Sequence, residues 1–137
     1  MAKDRKVRII FRDMPVFGPA SERAARVAIA AKYQNKYLAV HQALLQASRP
    51  LDENKIQAAV RRAGADWTLI EADLIRHSED INDLIERNTL QSKMLRFTGT
   101  PGFILGTTLG FGAVKLPTIE KLIAESRAKA ARPERGR

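Results

Sequence analysis

The sequence predicts a single mixed domain of the α/β or α+β class, with one early strand, a helical stretch of some eighty residues, and a closing hairpin and helix. Three observations point there. Val7–Phe11 is a short run rich in β-branched and aromatic side chains, and residues 19–97 carry apolar side chains at helical spacing with capping residues between them. Residues 98–112 then break into short apolar runs punctuated by glycine. At 137 residues, 45% hydrophobic and 28% charged, the chain is long enough for one globular domain burying roughly two thirds of its unfolded surface, and too short for two unrelated ones.

Taken in order, the Val7–Phe11 strand is stopped by Asp13-Met14-Pro15 and Gly18-Pro19. A helix from about Ala20 to Tyr33, opened by Pro19 or Ser21, places Ala24, Ala25, Val27, Ala28, Ile29 and Ala31 on a small-residue face. The next, about Asn35 to Ser48, has Tyr37, Leu38, His41, Leu44 and Leu45 at 3-and-4 spacing and stops before Arg49-Pro50. Asp52 caps a third helix carrying Ile56, Ala59, Val60 and Ala63, with Gly64 as its left-handed stop. Asp66 caps a fourth, with Trp67, Ile70, Leu74 and Ile75 inward. Ser78 opens a fifth, with Ile81, Leu84, Ile85 and Leu95 inward, acids in its first turn, bases in its last, and Phe97 and Gly99 ending it. The hairpin pairs Phe103–Leu105 with Leu109–Phe111 around Gly106-Thr107, and the last helix spans Leu116 to about Ala130 with Ile119, Leu122 and Ile123 inward. Residues 132–137 read as a disordered basic tail.

Cysteine is absent, so these residues by themselves provide no disulfide, thiolate nucleophile, CxxC pair or cysteine-based zinc site. The net charge of +9 is concentrated at the ends: residues 1–12 hold five bases and one acid, residues 115–137 seven and three, and the 102 between them twelve and eleven. Basic ends are ordinarily solvated, and no specific nucleic-acid binding is expected. No apolar run reaches the length of a membrane span. His41 and His77 lie on different predicted helices without a metal-ligand spacing and read as ordinary imidazoles, and Asp52/Glu53 and Glu79/Asp80 read as first-turn carboxylates. Arg61-Arg62 reads as a solvated helix face and Trp67 as core. The glycines at 99, 102, 106, 110 and 112 match no phosphate-binding pattern, and no serine sits in a nucleophile elbow. No catalytic, cofactor-binding or metal-binding residue is assigned.

The segment Phe11-Arg-Asp-Met-Pro-Val-Phe-Gly-Pro-Ala-Ser-Glu-Arg-Ala-Ala-Arg-Val-Ala-Ile-Ala-Ala31 resembles the strand-to-helix segment of the DsbA-like thioredoxin-fold proteins, the thiol:disulfide oxidoreductases with a helical insert. Lys36-Tyr-Leu-Ala-Val-His-Gln-Ala-Leu-Leu45 is similar to the helix that follows. Thr98-Gly-Thr-Pro-Gly-Phe-Ile-Leu-Gly106, with Gly112-Ala-Val114 before a final helix, resembles that family's cis-proline loop, hairpin and closing helix.

The resemblance implies an incomplete thioredoxin-like fold over residues 1–131, with thioredoxin parts at 1–18 and 98–131 and an insert at about 19–97. In the family, a central strand and the CxxC helix come before the unit that matches Val7–Phe11. The chain therefore reads as a truncated homologue, redox-inactive as encoded, lacking a strand between Val7–Phe11 and Phe103–Leu105 and leaving a gap of ~10 Å. Such open edges invite pairing, so self-association is expected over a monomer. The resemblance also implies a cis bond at Thr100–Pro101 and makes Thr100 and Pro101 the substrate-binding residues, positioned to hold an extended peptide or partner strand. Gly102 departs from the bulkier residue common there, and Lys115 stands where a serine-type cap usually precedes the last helix. A basic accessory protein held through its charged ends is a further reading. As encoded, with no export signal, the chain is expected in the cytoplasm; the resemblance offers the periplasm as the alternative.

Overall fold

A computed structural model describes residues 6–131, with the order α1 Pro19–Ala30, a 3₁₀ turn Ala31–Gln34, α2 Tyr37–Leu45, α3 Glu53–Arg62, α4 Trp67–Arg76, α5 Ser78–Met94, β1 Gly102–Leu105, β2 Thr108–Phe111 and α6 Leu116–Ala130. The mixed class is as expected. The tail at 132–137 lies outside the described residues. The chain divides into two compact units, residues 1–91 and 92–137.

The first unit is a helical cluster with a true core. Val27, Ile29, Val40, Ile56, Val60, Ile70 and Ile81 are its largest fully buried side chains, drawn from α1 to α5. Alanines 24, 28, 30 and 31 let α1 approach its neighbours closely, as the small-residue face anticipates. Asp52 and Asp66 cap α3 and α4 by accepting from the Lys55 and Leu69 amides. Gly64, at φ +69°, reverses the chain after α3, with the Ala65 amide donating to the Val60 carbonyl and the Gly64 amide to Arg61. Arg23 on α1 reaches Glu53 at 2.7 Å and Glu71 at 2.5 Å and lies over the half-buried Trp67 ring, tying three helices together. These carboxylates, Glu53 first, raise the Arg23 pKa.

Some inward faces differ from expectation. In α2, Val40, Ala43 and Leu44 are buried, while Leu38 and Leu45 are exposed, the latter by 64%. The helix is apolar almost all round, so its own periodicity selects no stripe, and packing against α1 and α3 selects Val40 and Leu44 instead. Ile75 on α4 is also exposed. Arg62 is no free surface group, since it donates to the Ala43 carbonyl at 2.8 Å.

The Val7–Phe11 strand is corrected. The segment joins no ladder, and among the described residues the sheet has two strands only, β1 and β2. A strand is defined by its neighbour, and without one a run of β-favouring residues stays unassigned. Ile9, Ile10 and Phe11 remain exposed.

The second unit is a hairpin and a helix. β1 and β2 are antiparallel in the register Gly102↔Phe111 to Leu105↔Thr108, leaving Gly106-Thr107 as a two-residue turn. Gly106 has φ +61° and Thr107 does not share the positive sign, the pattern of a type II′ turn. A side chain at Gly106 would also collide with Ser126 of α6. No residue from 92 to 131 is fully buried. α6 begins at Leu116 as expected, but Lys115 at its N-cap makes no side-chain hydrogen bond and places a positive charge at the positive end of the helix dipole. Lys115→Asp is expected to stabilise the unit by about 1 kcal/mol, read as a rise in the thermal midpoint.

Candidate functional site

The loop entering the hairpin is built from both sides. α5 ends at Met94, short of Phe97 and Gly99, and in the turn that follows Arg96 takes φ +58° while the Phe97 amide donates to the Ser92 carbonyl and the Arg96 amide to Lys93. This pair of bonds is what usually recruits glycine, and here it holds an arginine in the left-handed region. Phe97 then turns its ring onto Phe111, 5.1 Å between centroids. A side chain on Gly102 would meet that ring at 2.7 Å, so glycine at this position, a departure in the sequence comparison, is required by Phe97.

Between these anchors the Thr100–Pro101 bond is cis, and both residues are exposed. The Pro101 carbonyl accepts from the Gly112 amide at 2.9 Å, closing the base of the hairpin. The amide and carbonyl of Thr100 have no partner among the described residues. β1 pairs with β2 along one edge, and its other edge meets no strand among those residues.

Ile104 faces Leu109 directly across the ladder, and together with Phe111 they form an exposed apolar face, Ile104 at 59% and Phe111 at 57%. Phe103 and Leu105 point to the other, half-covered face, against which α6 packs. No charged side chain occurs between Arg96 and Lys115. The loop therefore offers backbone hydrogen bonds and apolar contact, the means by which a sheet edge holds an extended chain.

A second cluster, in the first unit, escaped the sequence reading. The Tyr37 hydroxyl donates to Asp13 Oδ2 at 2.8 Å, and His41 Nδ1 lies 3.3 Å from Asp13 Oδ1. Phe11 packs on both rings, and the Asp13 carbonyl accepts from buried Asn88 of α5. Burial first, and then the Asp13 carboxylate, push the Tyr37 phenol well above its ordinary pKa. The i, i+4 spacing of Tyr37 and His41 was visible; that Asp13 would turn back onto α2 was not. His77 is stacked on Tyr33, 3.7 Å between centroids, and Asp73 beside it is buried. Among the described residues no group of three metal-ligating side chains converges, and no helix is long and apolar enough to cross a membrane.

Comparison with known proteins gives one consistent answer. The sequence profile described as DSBA-like thioredoxin domain matches residues 2–124. A thioredoxin-like oxidoreductase from Silicibacter pomeroyi DSS-3 superposes with a TM-score of 0.80 at 29% identity, covering 85% of this chain and 66% of its own. The thiol-disulfide exchange protein alpha-DsbA2 from Wolbachia pipientis gives 0.80 at 30% identity, with 85% and 63% covered. A periplasmic thioredoxin-like protein from Salmonella enterica serovar Typhimurium gives 0.71 at 27%, with 85% and 64% covered. The chain thus spans slightly less than two thirds of the length of these relatives. A search of curated proteins finds no match.

Proposed function

The chain belongs to the DSBA-like thioredoxin domain family, and from that premise we propose that these residues form a homologue of the thiol:disulfide oxidoreductases that performs no disulfide exchange by itself. The carrying observation is chemical. Exchange requires a thiolate to attack a disulfide sulfur, and the only sulfur in the 137 residues belongs to three methionines. Purified chain in an insulin-reduction assay with dithiothreitol is expected to leave the rate at the uncatalysed background; a rate that rises with chain concentration would overturn the reading.

The function we assign to the remaining surface is capture of an extended polypeptide at Thr100 and Pro101. It is supported by the exposed Ile104/Leu109/Phe111 face and by the Thr100 backbone and the outer edge of β1, which pair with nothing among the described residues. The same edge is open to a second copy. Gly102–Leu105 itself carries no charge and no proline to blunt it, so two hairpins can meet without repulsion. Binding through this edge should tolerate salt and respond to Pro101→Ala, whereas attachment through the basic ends should weaken steeply with salt. The periplasm, where the Salmonella relative is found, is favoured over the cytoplasm as the site of action.

A further inference from the structure

We propose that Phe97 is a positioning residue for the Thr100–Pro101 loop: its ring, set against the bare backbone of Gly102, fixes the pose in which that loop meets an extended polypeptide. The proposal rests on the reading that Thr100 and Pro101 are where such a chain is held. Four residues, Thr98 to Pro101, separate Phe97 from Gly102 in the sequence, and in the fold the two ends meet. A Cβ on Gly102 would stand 2.7 Å from two carbons of the Phe97 ring and 3.3 Å from a third, so the ring occupies the space a side chain would take. This contact closes the loop on itself.

Both sides of the contact are anchored. On one, the Phe97 amide donates to the Ser92 carbonyl at 2.9 Å behind the left-handed Arg96, which sets the direction in which the ring leaves the turn. On the other, Gly102 is registered opposite Phe111, whose ring lies 5.1 Å from that of Phe97 at 53°, a favourable tilted arrangement. The backbone of Thr98, Gly99 and Thr100 between them has no hydrogen-bond partner among the described residues. A stretch without bonds of its own takes its position from its ends, and here the ends are Phe97 and the Pro101–Gly102 base of the hairpin.

The pair is matched in size. An aromatic ring at 97 leaves room for hydrogen alone at 102, and in a close-packed contact an added methyl obliges the ring or the strand to shift. A shift of the loop re-aims the Thr100 amide and carbonyl, and a hydrogen bond weakens steeply as its angle departs from linear. Binding groups hold their geometry only as well as the residues that support them, within about 0.5 Å for full effect.

The test titrates a fluorescein-labelled peptide of alternating valine and threonine with the full chain by anisotropy. Phe97→Ala and Gly102→Ala are each expected to weaken binding about tenfold, but Gly102→Ala should cost less than about twofold once Phe97→Ala is present, because the methyl then has no ring to meet. Gly106→Ala strains the turn and collides with Ser126 at the other end of the same hairpin, so it stresses the unit away from the loop and should leave the affinity within about twofold. Amide order parameters of Thr98, Gly99 and Thr100 should fall in Phe97→Ala and hold in Gly106→Ala, a readout that does not require the peptide. A parent chain that binds no peptide would overturn the binding reading of Thr100 and Pro101. Additive losses for the two loop substitutions, an equal loss with Gly106→Ala, or loop order unchanged in Phe97→Ala would instead overturn the role of Phe97.

Discussion

Ile70→Ala is expected to lower the unfolding free energy of the first unit by about 2–5 kcal/mol, because a fully buried side chain on α4 leaves both its transfer energy and a cavity behind. Ile70 belongs to a cluster to which α1, α2, α3 and α5 all contribute, and close-packed helices of this kind collapse only partially around a void. The same chemical change at Ile104, 59% exposed on β1, should cost less than about 1 kcal/mol. The contrast follows from where the core lies. The first unit holds every fully buried hydrophobic residue among those described, and the hairpin and α6 hold none. Urea titrations followed by far-ultraviolet circular dichroism measure the difference directly, and amide exchange should find protection concentrated in α1 to α4 with fast exchange in β1 and β2. Equal losses at the two positions would show that the hairpin face is covered in solution.

The elements that sequence pattern could define were those whose signals are local. Asp52 and Asp66 cap helices because an N-cap side chain answers to amides three residues on, and Gly106 turns a hairpin because its φ is set within the turn. Helix α6 runs over the residues its apolar spacing marks, Leu116–Ala130. What pattern could not define depends on neighbours. Leu38, Leu45 and Ile75 sit on helices with more apolar positions than a single stripe can bury, and the partner helix decides which are left out. Val7–Phe11 has the composition of a strand, but a ladder needs a second strand and none among the described residues pairs with it. At the candidate site, resemblance rather than spacing drew attention to Thr100 and Pro101. Gly102 is required by the Phe97 ring beside it, a contact that no spacing in the sequence encodes. The Asp13 cluster was illegible because Asp13, in a segment that looks like a breaker, is brought to Tyr37 and His41 by the fold alone.

Asp13 is where a single polar substitution should do the most damage. Asp13→Ala removes the acceptor of the Tyr37 hydroxyl and the partner of His41, and leaves a half-buried donor unsatisfied, for an expected loss of about 1–3 kcal/mol. The cluster also predicts a pH dependence with a definite sign. The folded state raises the Tyr37 pKa, mainly by burial and then by the Asp13 charge, so the phenol stays protonated when the unfolded chain begins to ionise near its ordinary value of 10.0. Below that pH both states are protonated and Tyr37 contributes no slope. Above it the unfolded state gives up the proton first, so stability falls as pH rises. A fully sequestered phenol would lose about 1.4 kcal/mol per pH unit, and half-burial at Tyr37 reduces this through solvent screening. Tyr37→Phe should therefore be less stable than the parent at neutral pH and lose less stability above pH 10. Urea midpoints of the two proteins between neutrality and strongly alkaline pH should converge; parallel curves would show that the phenol is not held protonated against the Asp13 carboxylate.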